Sequence, residues 1–455
     1  MRRSPFAERA NAAASRLAAL ACIEIEGHVT GLSGLAVEVA GLTGHAAIGD
    51  RIGIAARDGH EVLAEIVGFR GATAQAMTFG ATDGIGPGAA ARARLGQPGS
   101  QLAVSDGWIG RVVDPLGRPL DRRGALPAGA APRPVRAAPP EATTRARLGP
   151  RLDLGVRTLN LFTTCREGQR LGLFAGSGVG KSTLLSMLAR QTACDVVVLA
   201  LVGERGREVR DFLEDDLGPD GLARAVVVVA TSDMPPLMRR EAATAAMTVA
   251  EHFRDQGKSV LLLMDSVTRF CLALREIGLS AGEPPATRGY PPSVFAELPR
   301  LLERAGPGPD GDRPGRITAF FTVLVEGDDH NEPVADAVRG ILDGHVVLDR
   351  AIAESGRYPA VDVLRSLSRA VPGCNTADEN ALTRRARAIL ALHADTADLV
   401  RLGGHRPGAD PALDEAVRLA PLLETLLRQA SDESVSLPDA FAELRAVLAT
   451  PPQGD

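Results

Sequence analysis

The nine residues AGSGVGKST, from Ala175 to Thr183, constrain the fold more than any other part of the sequence. They follow an apolar run, QRLGLF, and precede a segment, LLSMLARQ, whose apolar side chains recur at helical spacing. A glycine-rich turn between a strand and a helix is the context in which the GxxxxGK[ST] pattern binds phosphate. The backbone N–H groups of such a turn point inward, and the dipole of the helix favours an anion. The sequence therefore predicts a phosphate-binding loop within an α/β domain.

The lysine of this loop stands out because lysine is rare in the chain. Of 51 basic residues only Lys181 and Lys258 are lysine. A compact ammonium on a flexible stem fits among loop amides better than a planar guanidinium does. We therefore expect Lys181 to contact the β and γ phosphates, Ser182 to ligate Mg²⁺, and the small Ala175 to fit where the pattern has its first glycine. The predicted triphosphate-binding residues are Ala175, Gly176, Ser177, Gly178, Val179, Gly180, Lys181, Ser182 and Thr183.

Two acidic residues follow apolar strand-like runs elsewhere in the chain. Asp265 ends the run SVLLLMD, and Glu204 ends the run DVVVLALVGE. The carboxyl ends of parallel strands lie at one edge of a sheet, where ligands bind. Phosphoryl transfer needs a carboxylate near the metal and a group that orients or activates water. We therefore predict Asp265 as a metal ligand and Glu204 as a catalytic carboxylate.

The pattern of hydrophobic residues changes along the chain. Short alternating runs such as RIGIAA and EVLAEIVGF predict a small β-barrel. Between 150 and 375, strand-like runs that are apolar on both faces alternate with helical segments, which is typical of a parallel sheet covered on both sides. After 375 the segments are amphipathic helices. The predicted parts are an N-terminal amphipathic arm at 1–20, a β-barrel domain at 21–95, an ATPase domain at 96–375 with a proline- and alanine-rich strap at 122–150, and a C-terminal helical domain at 376–455.

The first segment allows two interpretations. Phe6, Leu17 and Leu20 lie at helical spacing with arginines on the other side. The segment is either a helix that caps the barrel or an arm that docks on a partner or a membrane surface. The second interpretation is favoured because the segment precedes the barrel and is separable from it.

Composition excludes several classes of function. A net charge of −5 gives no basic excess for nucleic-acid binding. Five dispersed cysteines without a CxxC spacing favour a reducing, cytoplasmic compartment and disfavour a zinc site. No apolar run is long enough to span a bilayer. Charged residues interrupt the start MRRSPFAERANAAASRLAAL, so we do not expect a signal peptide.

Further motifs carry a family resemblance. The segments GSGVGKST, VGER, LLLMDSVTR, GYPPSVFAELPRLLERAG and SLSRAVPG resemble the rotary ATPase catalytic subunits, specifically the ATPase of type III protein export. The resemblance covers about residues 23–445. The segment VEGDDHNEPVADAVRG is similar to the export branch, and GLSGLAVEVAGL leans towards its flagellar members rather than the injectisome members. The fold implied is a RecA-like P-loop core with an N-terminal barrel and an all-α C-terminal domain.

The resemblance implies roles for residues that spacing alone does not assign. Thr183 would join Lys181 and Ser182 in binding Mg-ATP, and Arg205 would lie close to the γ phosphate. Tyr358, in GRYPAVD, would stack on adenine. Arg369, in SLSRAVP, would be an arginine finger that enters the neighbouring subunit's site.

The resemblance also implies an assembly and partners. Because one chain carries both Glu204 and Arg369, we expect a homohexamer with ATP sites at its interfaces. The partners implied are export substrates with their chaperones, a membrane export gate on the inner membrane, and a dimeric regulator bound to the N-terminal arm.

Three other functions compete with an export ATPase. A catalytic subunit of an F- or V-type ATP synthase would need a homologous second subunit. A hexameric RNA translocase would want exposed aromatic residues in the barrel, and residues 23–95 offer only Phe69 and Phe79. A nucleotide-binding protein that does not turn over would not need both Glu204 and Arg369.

Overall fold

The computed structural model describes residues 24–94, 99–325 and 332–451. The arm predicted at 1–20 lies outside these ranges. Within them, no helix combines the length and the apolar character needed to cross a membrane.

The amino-terminal part is a closed six-stranded barrel with the strand order β1-β2-β5-β4-β3-β6. Alternate side chains point inward, so the interior is filled by small aliphatic residues such as Val37, Ile54 and Ala76. The barrel predicted from alternating hydrophobicity is confirmed. Its strands are β1 Glu24–Ser33, β2 Ala36–Ala40, β3 Arg51–Ala55, β4 Glu61–Arg70, β5 Thr73–Thr78 and β6 Ala90–Arg94.

The central part contains a nine-stranded sheet with a parallel core. Its main order is β19-β18-β12-β17-β15-β13-β14-β8, with β19 antiparallel at one edge and β16 paired with β17. The apolar runs QRLGLF, DVVVLALVGE and SVLLLMD of the prediction all form strands of this sheet. The strands after the barrel are β7 Gln101–Leu102, β8 Val112–Val113, β9 Arg133–Pro134, β10 Arg151–Leu152, β11 Cys165–Arg166, β12 Arg170–Ala175, β13 Val196–Glu204, β14 Ala225–Thr231, β15 Ser259–Asp265, β16 Gly306–Pro307, β17 Arg316–Leu324, β18 Gly344–Leu348 and β19 Leu367–Ser368.

Helices cover both faces of this sheet, which is why its strands are apolar on both sides. Successive residues of β13 such as Val198 and Leu199 point into opposite layers. The C-terminal helices pack on the face that also holds α2, which confirms the predicted α/β core with an all-α C-terminal part. The helices are α1 Arg157–Phe162, α2 Lys181–Gln191, α3 Gly206–Asp211 followed by a π-helical turn Phe212–Leu217, α4 Gly218–Ala223, α5 Pro236–Arg254, α6 Val267–Ser280, α7 Pro292–Leu302, α8 Pro333–Ile341, α9 Arg350–Glu354, α10 Ala377–Arg401, α11 Pro411–Leu426 and α12 Leu437–Leu448.

The strap at 122–150 has little regular structure, as its composition predicts. Its β9 strand pairs with β7, and Arg145 forms an isolated bridge with Pro309. The backbone oxygen of Val135 accepts a hydrogen bond of 2.7 Å from the buried guanidinium of Arg304. The strap is therefore fastened to the nucleotide-binding core along its length.

A buried group of charges joins the barrel to the core, and we call it the barrel junction: Arg51, Glu65, Arg136, Arg240 and Glu241. Glu65 of the barrel is 2% exposed and accepts hydrogen bonds of 2.7 and 3.0 Å from Arg240 of α5. Arg136 of the strap reaches Glu65 at 2.8 Å, and Arg51 of the barrel reaches Glu241 of α5 at 2.6 Å. Burial acts to raise the pKa of Glu65, but the guanidiniums, Arg240 foremost, outweigh it and hold that pKa below its usual range. Three parts of the chain therefore share one set of ion pairs.

Candidate nucleotide site

The predicted phosphate loop lies at the carboxyl end of β12. Ala175 is the last residue of that strand and is buried, so the first position of the pattern belongs to the sheet and has no room for a large side chain. Gly178 and Gly180 have φ angles of 76° and 90°, values that favour glycine. Helix α2 begins at Lys181, so its amino end faces the loop. This is the arrangement in which loop amides and a helix dipole bind phosphate.

The Lys181 ammonium lies between the two acids predicted from the strands. Its Nζ is 2.6 Å from Oδ1 of Asp265 and 3.6 Å from Oε1 of Glu204. Burial acts to lower the pKa of Lys181, but the two carboxylates outweigh burial and raise it above its ordinary value. The side chain is therefore a permanent cation at physiological pH.

The surroundings of Glu204 change its pKa. Burial raises the pKa of Glu204 above its ordinary value, the Lys181 charge partly opposes the rise, and the negative Asp265 adds to it. A carboxylate with a raised pKa is a better proton acceptor than an ordinary glutamate, because its basicity lies closer to the working pH. The electrostatics of Glu204 therefore suit a base that orients or activates water.

A cavity of about 70 Å³ opens beside these groups. Its polar lining includes Ser182, Glu204, Glu208 and Asp265. Hydroxyl and carboxylate oxygens are the ligands that Mg²⁺ prefers, and Mg²⁺ is usually held by one or two carboxylates together with substrate phosphates. Across the described ranges no three His, Cys, Asp or Glu side chains cluster as a metal site. The donor set therefore fits a metal ion that arrives with a triphosphate.

Tyr358 lies beside the phosphate loop, far from it in sequence. Its ring carbons lie 3.3 Å from the point that a Cβ atom on Gly180 would occupy. Tyr358 also lines a surface pocket, together with Gly356, Arg428 and Glu433, among others. Tyr358 is 45% exposed, so its ring is available for stacking.

The structure does not bring Arg205 into contact with these groups. Its side chain is 79% exposed and pairs with Glu208 at 3.2 Å. Arg205 thus lies at the rim of the cavity, next in sequence to Glu204.

Arg369 lies at the opposite edge of the sheet from the phosphate loop. Its backbone N–H donates to the oxygen of Asp343 at 2.9 Å, and Asp343 in turn pairs with Arg170, the first residue of β12. The phosphate loop follows Ala175, the last residue of that strand. Five strand steps of ~3.3 Å separate the two ends, about 16 Å. Arg369 is exposed, and its guanidinium makes no hydrogen bond or ion pair with any residue that the structure describes.

Two further residues touch the site and were not predicted. The Thr322 hydroxyl, on β17, donates to Oδ1 of Asp265 at 2.7 Å and orients that carboxylate. Arg269, in the first turn of α6, packs so close to Gly203 that a Cβ atom added to Gly203 would lie 3.1 Å from the Cβ atom of Arg269. Its charge adds to that of Lys181 in opposing the burial that raises the pKa of Glu204. A hydroxyl residue inside the apolar run RITAFFTVL and an arginine four residues after Asp265 were the available signals.

Three family models match consecutive parts of the chain. Residues 29–93 match the beta-barrel domain of the ATP synthase alpha/beta family, and residues 155–368 match its nucleotide-binding domain. Residues 376–446 match the C-terminal domain of the T3SS ATPase EscN. The predicted domain boundaries at 20, 95 and 375 stay predictions, although the matched ranges fall within them.

Curated relatives are similar over almost the whole chain. The flagellum-specific ATP synthase of Caulobacter vibrioides is 53% identical, with 94% of this chain and 96% of the relative covered. That of Bacillus subtilis is 46% identical, with 94% and 97% covered. The type 3 secretion system ATPase of Xanthomonas euvesicatoria is also 46% identical, with 92% of each chain covered.

Solved structures give the same result for the fold. The assembled ATPase EscN from the type III secretion system of enteropathogenic E. coli superposes with a TM-score of 0.85 at 38% identity, covering 93% of this chain and all of EscN. EscN in complex with its central stalk EscO superposes with a TM-score of 0.83, at the same identity and coverage.

Proposed function

Since the chain belongs to the ATP synthase alpha/beta family and is an ATPase of its type III export branch, we propose that it hydrolyses Mg-ATP at the interfaces of a homohexameric ring. Hydrolysis would energise the export of flagellar proteins through a type III secretion apparatus. The flagellum-specific ATP synthase of Caulobacter vibrioides is 53% identical and the type 3 secretion system ATPase of Xanthomonas euvesicatoria is 46% identical, a difference that supports the flagellar branch over the injectisome branch. The observation that carries the ring proposal is the position of Arg369 at the edge of the sheet opposite to the phosphate loop, where its side chain is exposed and pairs with none of the described residues.

We assign the following roles within one chain. The loop amides and Lys181 hold the phosphates, with Thr183 beside Ser182. Ser182 and Asp265, the latter oriented by Thr322, would hold Mg²⁺, which neutralises phosphate charge when bound. Glu204 accepts the proton of the attacking water, and Arg205 at the rim of the cavity turns towards the γ phosphate. Tyr358 stacks on the adenine.

The site of a single chain lacks one group that phosphoryl transfer uses. The Lys181 charge is shared with Asp265 and Glu204, so the charge that develops on the γ phosphate calls for a further cation besides Lys181, Mg²⁺ and Arg205. An arginine finger supplies such charge and accelerates hydrolysis about 10³- to 10⁵-fold. Arg369 of an adjacent copy is free to supply it, and head-to-tail repetition of that contact closes a ring.

We also propose a cellular setting, which the family resemblance implies. We place the ring in the cytoplasm, peripherally on the inner-membrane export apparatus, where it receives export substrates and chaperones. The arm at 1–20 would bind a dimeric regulator. Deleting residues 1–20 should weaken the regulator complex and leave nucleotide affinity unchanged, and equal regulator affinity in a pull-down titration would contradict this role.

The competing functions lack support. The match of residues 376–446 to the C-terminal domain of an export ATPase disfavours an ATP synthase subunit. In the barrel, Phe79 is buried and Phe69 is 38% exposed, so no platform of stacked aromatics exists for RNA in residues 24–94.

The test of the proposed function is an ATPase assay on the purified full chain over a range of protein concentration. Because a site is completed only at an interface, phosphate release per chain should rise steeply as the chains assemble. Lys181→Ala serves as the control for contaminating ATPases. A specific activity that stays constant down to concentrations at which light scattering detects only single chains would refute the ring mechanism.

A further inference from the structure

The turn between α11 and α12, residues 428–433, contains a buried glutamine with every side-chain group paired. We call these residues the C-terminal turn. Gln429 is 5% exposed. Its Oε1 accepts the backbone N–H of Arg157 at 2.7 Å, and its Nε2 donates to the oxygens of Gly155 and Glu433, each at 2.8 Å. One side chain thus ties the C-terminal turn to the start of the nucleotide-binding core, 272 residues earlier in the chain.

The same residue contacts the tyrosine that lies on the phosphate loop. The backbone N–H of Gln429 donates to the oxygen of Tyr358 at 2.9 Å. The residue before the tyrosine, Arg357, is 3% exposed and pairs with Glu424 of α11 at 2.7 Å. The segment that carries the aromatic ring is therefore held from two successive residues by the C-terminal helical domain.

These contacts form a continuous path from the C-terminal domain to the phosphate loop. The side-chain amide of Gln429 fixes the position of the C-terminal turn. The backbone N–H of Gln429 donates to the carbonyl oxygen of Tyr358, and the Tyr358 ring lies against Gly180 of the phosphate loop. The pocket beside the ring is lined by residues of the C-terminal turn, namely Arg428, Gln429, Ala430 and Glu433. No group of Gln429 is left to bind a ligand, because its amide oxygen and nitrogen are both satisfied within the protein.

We propose that Gln429 is a positioning residue for the nucleotide base: its side-chain hydrogen bonds hold the C-terminal turn in the place from which the turn fixes the Tyr358 stacking surface. The inference rests on the proposed stacking of adenine on Tyr358. It adds that the affinity for the base depends on the side-chain amide of Gln429, although that amide is paired within the protein.

The test compares steady-state kinetics of three variants of the full chain. Gln429→Met keeps the side-chain volume and removes its hydrogen bonds. Gln191→Met is the matched control, because Gln191 Nε2 donates to the same turn, at Ser431 (3.2 Å) and Glu433 (2.7 Å), but has no contact with the tyrosine segment. Tyr358→Ala removes the stacking surface itself. Melting temperatures report the structural cost of each change.

The expected pattern is a split between KM and kcat. Tyr358→Ala removes the stacking surface and should raise the KM for ATP about tenfold. Gln429→Met displaces the Tyr358 ring and should raise the KM for ATP about fivefold. In both variants kcat should change less than about twofold. Gln429→Met should also narrow the preference for ATP over GTP. Gln191→Met should lower the melting temperature comparably and leave KM unchanged.

Each outcome has one meaning. An unchanged KM in Tyr358→Ala would overturn the stacking role in the proposed function. A raised KM in Tyr358→Ala with an unchanged KM in Gln429→Met, or equal effects of Gln429→Met and Gln191→Met, would overturn the inference alone. Should Gln429→Met fail to fold, Gln429→Asn takes its place, since it keeps the amide but shortens the side chain by one methylene and withdraws it from Arg157 and Gly155. An unchanged KM in that variant would also overturn the inference.

Discussion

Complementation between two inactive variants tests whether Arg369 acts on the adjacent copy. Glu204→Gln removes the base but keeps the guanidinium, and Arg369→Ala does the reverse. Within one chain the Arg369 backbone and the phosphate loop lie at opposite ends of β12, whose length is about 16 Å. An arginine side chain does not span that distance, so in the proposed mechanism each site uses the Arg369 of another copy.

The expected magnitude follows from counting interfaces. Loss of an arginine finger costs about 10³-fold or more in rate, and loss of a general base about 10²-fold or more. In rings assembled at random from equal amounts of dissociated variants, an interface works when an Arg369→Ala chain supplies the site and a Glu204→Gln chain supplies the guanidinium. About one quarter of interfaces meet that condition. The mixture should therefore reach about 25% of wild-type activity, at least about 25 times the activity of Glu204→Gln alone.

A second mixture tests independently whether Arg369 acts on the adjacent copy or within its own chain. Equal amounts of wild type and a chain carrying both substitutions should again give about one quarter of wild-type activity if the arginine acts on the adjacent copy, and about one half if it acts within its own chain. The assay is phosphate release by chains mixed when dissociated and then concentrated. No recovery in the first mixture together with one half in the second would refute the reasoning.

Two further predictions concern ionisable groups. Burial raises the pKa of Glu204 above 4.5, and this side chain must be ionised to act as a base. We therefore expect kcat/KM to fall on acidification with a midpoint above pH 4.5 and to recover as the pH rises. A midpoint at or below pH 4.5, measured while circular dichroism shows an intact structure, would contradict the role of Glu204. Arg240→Ala leaves the buried Glu65 with the ion pair to Arg136 and the weaker influence of the Arg51 charge, so the free energy of unfolding should fall by about 3 kcal/mol. Arg92→Ala, which breaks the exposed pair with Glu26, should cost less than about 1 kcal/mol in the same urea titration. Equal losses would show that the barrel junction contributes no more than a surface pair.

The phosphate loop, the parallel sheet and the two acids could be predicted because each depends on residues close together in sequence. The apolar run before Asp265 or Glu204 predicts a buried strand, and the position of the acid at the end of the run predicts the edge of the sheet at which it lies. Parallel pairing then brings both acids to Lys181 without further information.

Other features depend on contacts that no local pattern encodes. Thr322 reads as one polar residue in an apolar strand until β17 and β15 are placed side by side. Gln429 reads as an ordinary helix-end residue until Arg157 and Tyr358 are brought to it. The barrel junction has the same origin, since its charges come from the barrel, the strap and α5 and are paired only after tertiary packing.

The barrel junction has a mechanical consequence. Its charges are compensated in only one relative placement of the barrel, the strap and α5, and a small slide would strand a carboxylate in apolar surroundings. This end of the molecule is consequently stiff. The C-terminal helices are held to the core by apolar packing that includes Leu419, Leu423 and Phe441, together with the hydrogen bonds of Gln429. The acids that pair with Arg157 at this end, Glu433 and Glu443, are partly exposed, so a shift there leaves neither carboxylate without water. We therefore expect the helical end to yield before the barrel end when the molecule is strained.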